Sequence, residues 1–238
     1  RGELELVQRG YAEYAPGFDR EHALRAAYVR AKMLIEQQRL EDAAGAFAAL
    51  FAGLPEVADP LFRHTVHNSH GILLRRLGQV DAAVAAYRQS LTYLDPTRLD
   101  HQEALLTVPG NIAIAYGAAG RWAESDAEFR ALLGRAEAQL GAEHPQMAAI
   151  ARNYATLLQR TGRFRSAAAL VQRYQPASAR SDDRLARIGF LQARASSALN
   201  AGEDRAAREA AIASTEQAIE VHGARSGALA SPLEILAM

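Results

Sequence analysis

The chain has 238 residues, 27 basic and 27 acidic side chains, no cysteine and 49% hydrophobic residues. A balanced charge lacks the basic footprint of a nucleic-acid-binding domain, and the absence of cysteine excludes a disulfide framework and a cysteine-ligated zinc site. No apolar stretch approaches the roughly 18 residues that span a bilayer, so neither a nucleic acid nor a membrane is expected as partner and the expected location is cytoplasmic.

Apolar residues recur at i, i+3, i+4 and i+7, the period of helices, and no β-branched run alternates with period two. The first residue is Arg1 and no signal peptide is seen, so the chain is expected to be a piece of a longer protein. A partial helix is expected over residues 3–14. Helix pairs follow at about 20–37 with 41–53, 58–77 with 81–94, 100–119 with 123–139, 145–161 with 165–175, and 181–201 with 204–221. A last helix over 231–238 opens at Ser231-Pro232-Leu233-Glu234, a capping box with proline in the first turn. Leu4, Leu6 and Val7 at one end, and Leu233, Ile235 and Leu236 at the other, leave apolar helix faces with little chain to cover them. The whole chain, 1–238, reads as one domain with repeats at about 20–54, 58–95, 100–140, 144–176 and 181–221.

Each pair carries the same marker. Gly78-Gln79-Val80-Asp81-Ala82-Ala83 returns as Gly120-Arg121-Trp122, Gly162-Arg163-Phe164 and Gly202-Glu203-Asp204, and Gln38-Arg39-Leu40 is a copy that has lost its glycine. The spacings are 40, 42, 42 and 40 residues. Seven residues before the marker stand the small Ala31, Gly71, Ala113, Ala155 and Ala195; nine after it stand Phe47, Tyr87, Phe129, Val171 and Ala211. Small residues admit a close helix approach, and the marker glycine suits a turn that needs positive φ. Pro109 alone among the prolines falls inside an expected helix. Either the helix kinks near Leu105–Leu106, with Gly110 and Gly117 on its open side, or it starts after Pro109 and residues 97–108 form a separate short helix.

This pattern of small residue, aromatic or leucine, glycine turn, alanine and aromatic resembles the tetratricopeptide (TPR) repeat, in the longer variant found in kinesin light chains. Leu140-Gly141-Ala142-Glu143-His144-Pro145 is similar to that variant's linker, and Asn111-Ile112-Ala113 and Asn153-Tyr154-Ala155 to its Asn-Leu-Ala motif. The resemblance covers about residues 20–221 and implies an all-α solenoid, a right-handed superhelix whose concave face is made by the first helix of each pair. Arginine- and alanine-rich composition, with Lys32 the only lysine, points to a GC-rich bacterial genome.

Helical spacing from the marker selects the side chains expected on that face. They are Tyr28 and Lys32 in the first pair, Asn68, Arg75 and Arg76 in the second, and Asn111 in the third. Arg152, Asn153, Gln159 and Arg160 follow in the fourth, and Gln192 and Asn200 in the fifth. Amides can donate to and accept from a peptide backbone, and arginine can clasp a carboxylate. The resemblance implies backbone contacts for Asn111 and Asn153. His64, His67 and His70 share one helix but lack a His-Glu-x-x-His pattern, so they read as packing and no metal or other cofactor is expected. Trp122 likewise reads as packing, because Val80 and Phe164 hold the equivalent positions. No phosphate loop, nucleophile elbow or kinase signature occurs, so no enzyme is expected.

The expected function is therefore a non-catalytic interaction module that binds a peptide or extended protein segment of acidic character. It would be the sensor or docking part of a bacterial signalling or regulatory protein. The alternative is a scaffold that forms homo-oligomers through its terminal helices.

Overall fold

A computed structural model describes residues 20–222; the helices expected at 3–14 and 231–238, with their apolar faces, lie outside the described residues. The described chain is helical throughout and holds no strand. It divides into two compact units, Arg1–Ala119 and Gly120–Met238. The first contains α1 (Arg20–Glu36), α2 (Leu40–Gly53), α3 (Pro60–Arg76), α4 (Val80–Leu91) and α5 (Gln102–Ala118). The second contains α6 (Trp122–Leu140), α7 (Pro145–Arg160), α8 (Phe164–Arg173), the short α9 (Gln175–Ala179), α10 (Arg184–Ala201) and α11 (Asp204–His222). Short 3-10 turns at Leu54–Glu56 and Leu99–His101, and α9, are additions that periodicity did not indicate.

Helix starts follow from side-chain chemistry. The Asp59 carboxylate accepts from the Leu61 amide ahead of Pro60, and Asp183 accepts from Leu185 and Ala186. His144 Nδ1 accepts from the Gln146 amide ahead of Pro145. Each cap satisfies a backbone donor that has no partner within the helix.

The turns repeat one geometry. Gly78, Gly162 and Gly202 have φ of 76°, 73° and 78°, and each donates back into the preceding helix while the next residue reaches one carbonyl further. Gln79 to Leu74 O, Arg163 to Leu158 O and Glu203 to Ala198 O are the longer bonds, at 2.9, 2.8 and 2.9 Å. This is the double-bonded C-terminal cap in which a left-handed residue reverses the chain. The first repeat makes the same turn without glycine: Gln38 takes φ 61°, and Arg39 bonds Leu34 O at 2.9 Å.

Within each unit, paired helices pack at the small positions. A methyl group at Gly71 would fall 2.5 Å from Tyr87 Cε1, so the absent side chain is what lets α3 close on the buried tyrosine of α4. Phe47, Tyr87, Phe129, Val171 and Ala211 are all buried, and so are Ala31, Gly71, Ala113, Ala155 and Ala195. One core joins the first two repeats through Leu34, Phe47, Leu50, Phe62 and Leu73. Another seats Val108, Ile112 and Tyr116 of α5 on Val84 and Tyr87. The last pair closes on alanines 195, 198, 207, 210 and 211 at its turn end and on Ile188, Ala218 and Val221 at the other.

Pro109 lies inside α5, which runs unbroken from Gln102 to Ala118, so residues 97–108 are not a separate helix. Leu106, Val108, Pro109, Ile112 and Ala113 are all buried, and that packing outweighs the missing amide of the proline. Gly117 is buried and Gly110 half-buried.

Candidate functional site

In the first unit, the residues expected on the first-helix face are linked across neighbouring repeats. Tyr28 on α1 shares a 2.8 Å hydrogen bond with Ser69 on α3, and Lys32 lies 5.8 Å from the Tyr28 ring. Asn111 on α5 donates from Nδ2 to Asn68 Oδ1 on α3 at 3.0 Å. Arg76 reaches back one repeat, donating to the Ile35 carbonyl at 2.8 Å and pairing with Glu36 at 3.2 Å. Arg75 is half-buried beside Tyr87, whose hydroxyl is pushed up by burial and partly offset by that guanidinium. These bonds join residues about one repeat apart, so much of the polar face doubles as the seam between repeats.

In the second unit, Gln159 on α7 donates to Ser196 and Ser197 on α10, at 3.1 and 2.6 Å. Arg152 leans across α10 at Gly189, where a methyl group would fall 2.7 Å from Nη1. Asn153 is half-buried with no side-chain hydrogen bond among the described residues. Arg160 and Asn200 are exposed and Gln192 is half-buried. Behind this face, Asp126 on α6 holds Tyr154 (2.8 Å), Arg130 (3.0 Å) and Arg163. Burial alone would push the Asp126 carboxyl up; the bonds from Arg163 and Tyr154 outweigh it and hold it below the usual range. Tyr154 is pushed up to about 12, first by burial and then by that carboxylate.

A cavity of about 280 Å³ opens between α3 and the start of α5, next to the Asn68–Asn111 bond. On one side it is lined by Leu61, His64, Thr65 and Asn68, a single stripe of α3. Opposite stand Asp100, then Glu103, Ala104, Thr107 and Val108 of α5. Of these, sequence places only Asn68 on the binding face and reads His64 as packing. The others lie on the N-terminal halves of the first helices, beyond the positions counted back from the turn glycine. The i, i+3, i+4, i+7 continuation of the same stripe would have reached them.

The three histidines of α3 pack, each in a different way. His64 Nδ1 lies 3.2 Å from the Ser90 carbonyl. His70 lies against Phe47 and Phe51, with ring centroids at 5.4 and 4.9 Å. His67 lies between Phe51 at 5.1 Å and the stacked Tyr93 at 5.3 Å. Burial lowers the pKa of all three, and at His67 the neighbouring His70 and His64 add to it. Among the described residues no group of three or more His, Cys, Asp or Glu side chains could hold a metal ion. Trp122 is not in a core: it is 37% exposed at the start of α6, with the Arg160 guanidinium 5.0 Å from its ring centre. No helix among the described residues is long and apolar enough to cross a membrane.

Residues 102–178 match the family model for the tetratricopeptide repeat. Comparison with curated protein sequences gives no match. Among solved structures, BtubC (BKLC) from P. vanneervenii is similar with a TM-score of 0.69 at 13% identity, covering 94% of this chain and 90% of that one. A putative kinesin light chain of Podosopora anserina with nearly identical TPR-like repeats gives a TM-score of 0.65 at 18% identity, covering 88% and 100%. Bacillus thuringiensis PlcR, solved in complex with the peptide PapR7 and DNA, gives 0.62 at 16% identity, covering 92% and 74%. At these identities the likeness is one of fold.

Proposed function

We propose that this chain, which matches the tetratricopeptide-repeat model over residues 102–178 and shares the fold of long-repeat structures, is a non-catalytic module that binds an extended peptide along the first helices of its repeats. The observation that carries the reading is the placement of half-buried amides on those helices. Asn68, Asn111 and Asn153 hold equivalent or adjacent positions in successive repeats, and Asn153 has its side-chain donors and acceptor unengaged among the described residues. An extended strand presents alternating N–H and C=O groups, and an amide side chain can answer either. Arg152, with no ion pair among the described residues, offers a carboxylate partner beside Asn153. The likeness to PlcR, whose structure holds a peptide, supports the same use of the fold. Oligomerisation through the terminal helices rests on segments outside the described residues.

The test is selection of a displayed random peptide library on the full chain, followed by fluorescence anisotropy with the selected peptides. The double variant Asn111→Ala/Asn153→Ala, checked for helicity by circular dichroism, should bind about tenfold or more weakly, the loss expected for one or two buried hydrogen bonds. Unchanged affinity in a folded variant would overturn the reading.

A further inference from the structure

The cavity between α3 and α5 has a chemistry that the amide face does not share. Its upper rim is acidic. The Glu103 carboxylate has no partner among the described residues, and Asp100 is engaged only by Arg98 of its own turn, at 2.7 Å. Its lining holds further acceptors. The Thr65 hydroxyl gives its proton to the Leu61 carbonyl at 2.7 Å, leaving lone pairs free, and the Thr107 hydroxyl is unengaged among the described residues.

His64 completes the set. It is 7% exposed and lines the cavity. Its Nδ1 faces the Ser90 carbonyl, which can only accept, so Nδ1 carries the hydrogen and Nε2 is a lone-pair acceptor with no partner among the described residues. Burial lowers the pKa of the ring and so disfavours its charged form. No lysine or arginine lines the cavity. Leu61, Ala104 and Val108 supply apolar walls.

Apolar walls beside several acceptors and a free carboxylate match one kind of side chain: a methylene stem that ends in a cation. A volume of about 280 Å³ suits a single side chain and is small for a larger organic ligand. A metal ion would need more ligating groups than are gathered here, and the unpaired Glu103 carboxylate repels an anion. We propose that this cavity receives the cationic end of a lysine or arginine side chain carried by the bound extended peptide. This rests on the peptide reading above, and it revises the expectation of an acidic ligand for this stretch of the face. Charge-assisted bonds to Glu103, with Thr107 and His64 accepting further guanidinium or ammonium protons, would fix the register of the peptide.

Two arms test it on the full chain. In the first, n-butylguanidinium chloride is titrated into isotopically labelled protein and followed by backbone amide shifts, with sodium butyrate as the control. Saturable shifts at Thr65, Glu103 and Thr107, about tenfold weaker in Glu103→Gln and absent with butyrate, are expected. Glu103 is exposed, so the variant should fold; Thr107→Val is a second probe of the same wall. Shifts that do not saturate, or that are equal in Glu103→Gln, overturn the assignment. In the second arm, selected peptides are resynthesised with lysine, arginine, norleucine or glutamate at each position. A position that demands lysine or arginine in wild type and tolerates norleucine in Glu103→Gln supports the proposal. Peptides that bind without any basic preference overturn it and leave the groove reading standing. Saturable guanidinium binding with no peptide binding at all supports the cation site and defeats the peptide reading instead.

Discussion

Mild acid should loosen the first unit. His64, His67 and His70 are packed against Phe47, Phe51, Tyr93 and the Ser90 carbonyl, and burial holds all three below the ordinary histidine value. A histidine with a depressed folded-state pKa contributes its full stability above the unfolded value. As pH falls below that value the unfolded chain takes up protons first, and stability drops until the pH passes the folded-state values. Each such histidine changes stability by at most about 1.4 kcal/mol per pH unit within its window. For three the ceiling is about 4 kcal/mol per pH unit, lower in practice because His67 and His70 are only half-buried. That is a large share of the roughly 5–15 kcal/mol that separates folded from unfolded domains. Urea denaturation followed by circular dichroism between about pH 7.5 and about pH 5.5 measures the slope. His70→Phe keeps an aromatic ring between Phe47 and Phe51 and removes one titrating group, so its slope should be visibly shallower. Stability that stays flat across this range, or a His70→Phe slope equal to wild type, would refute the reasoning.

Other outcomes follow from single contacts. Gln38→Gly should stabilise the chain by about 0.5–1 kcal/mol, because a side chain at φ 61° costs about 1–2 kcal/mol and glycine returns part of that as backbone entropy. Gly162→Ala, at φ 73° with open space around it, should lose about 1 kcal/mol by the same argument; thermal melts of both variants against wild type check the pair. Asp126→Asn removes the charge that holds Arg163, Arg130 and Tyr154, and should cost about 2 kcal/mol in urea titrations at neutral pH. The phenol of Tyr154, now pushed up to about 12, should then ionise at lower pH, which ultraviolet absorbance titration reads directly.

The repeat was legible because its causes are local and recur. A left-handed turn, a small residue seven before it and a bulky one nine after it are backbone and contact requirements of a single helix pair. Five copies make the pattern visible without coordinates. Helix ends were legible for the same reason: Asp59-Pro60, His144-Pro145 and Asp183 cap within three residues of themselves. Even the missing glycine at position 38 left the turn in place, since the sequence around it still demanded the reversal.

Partnerships between repeats were not legible. Asn68 with Asn111, Gln159 with Ser196, and Asp126 with Arg163 are separated by 43, 37 and 37 residues, and helical periodicity says only which face a side chain is on. Pro109 shows the same limit. Local propensity allowed a broken helix, and burial of its neighbours kept it whole. Trp122 was placed by analogy with Val80 and Phe164, yet packing left it at a rim under Arg160. The cavity beside Glu103 is the extreme case, because a hollow is defined by what two helices fail to fill. Local sequence sets turns, caps and faces, since their energies act within a few residues. Which polar groups meet, and where acceptors are left facing an opening, follows only when repeats stack and each helix takes its neighbours.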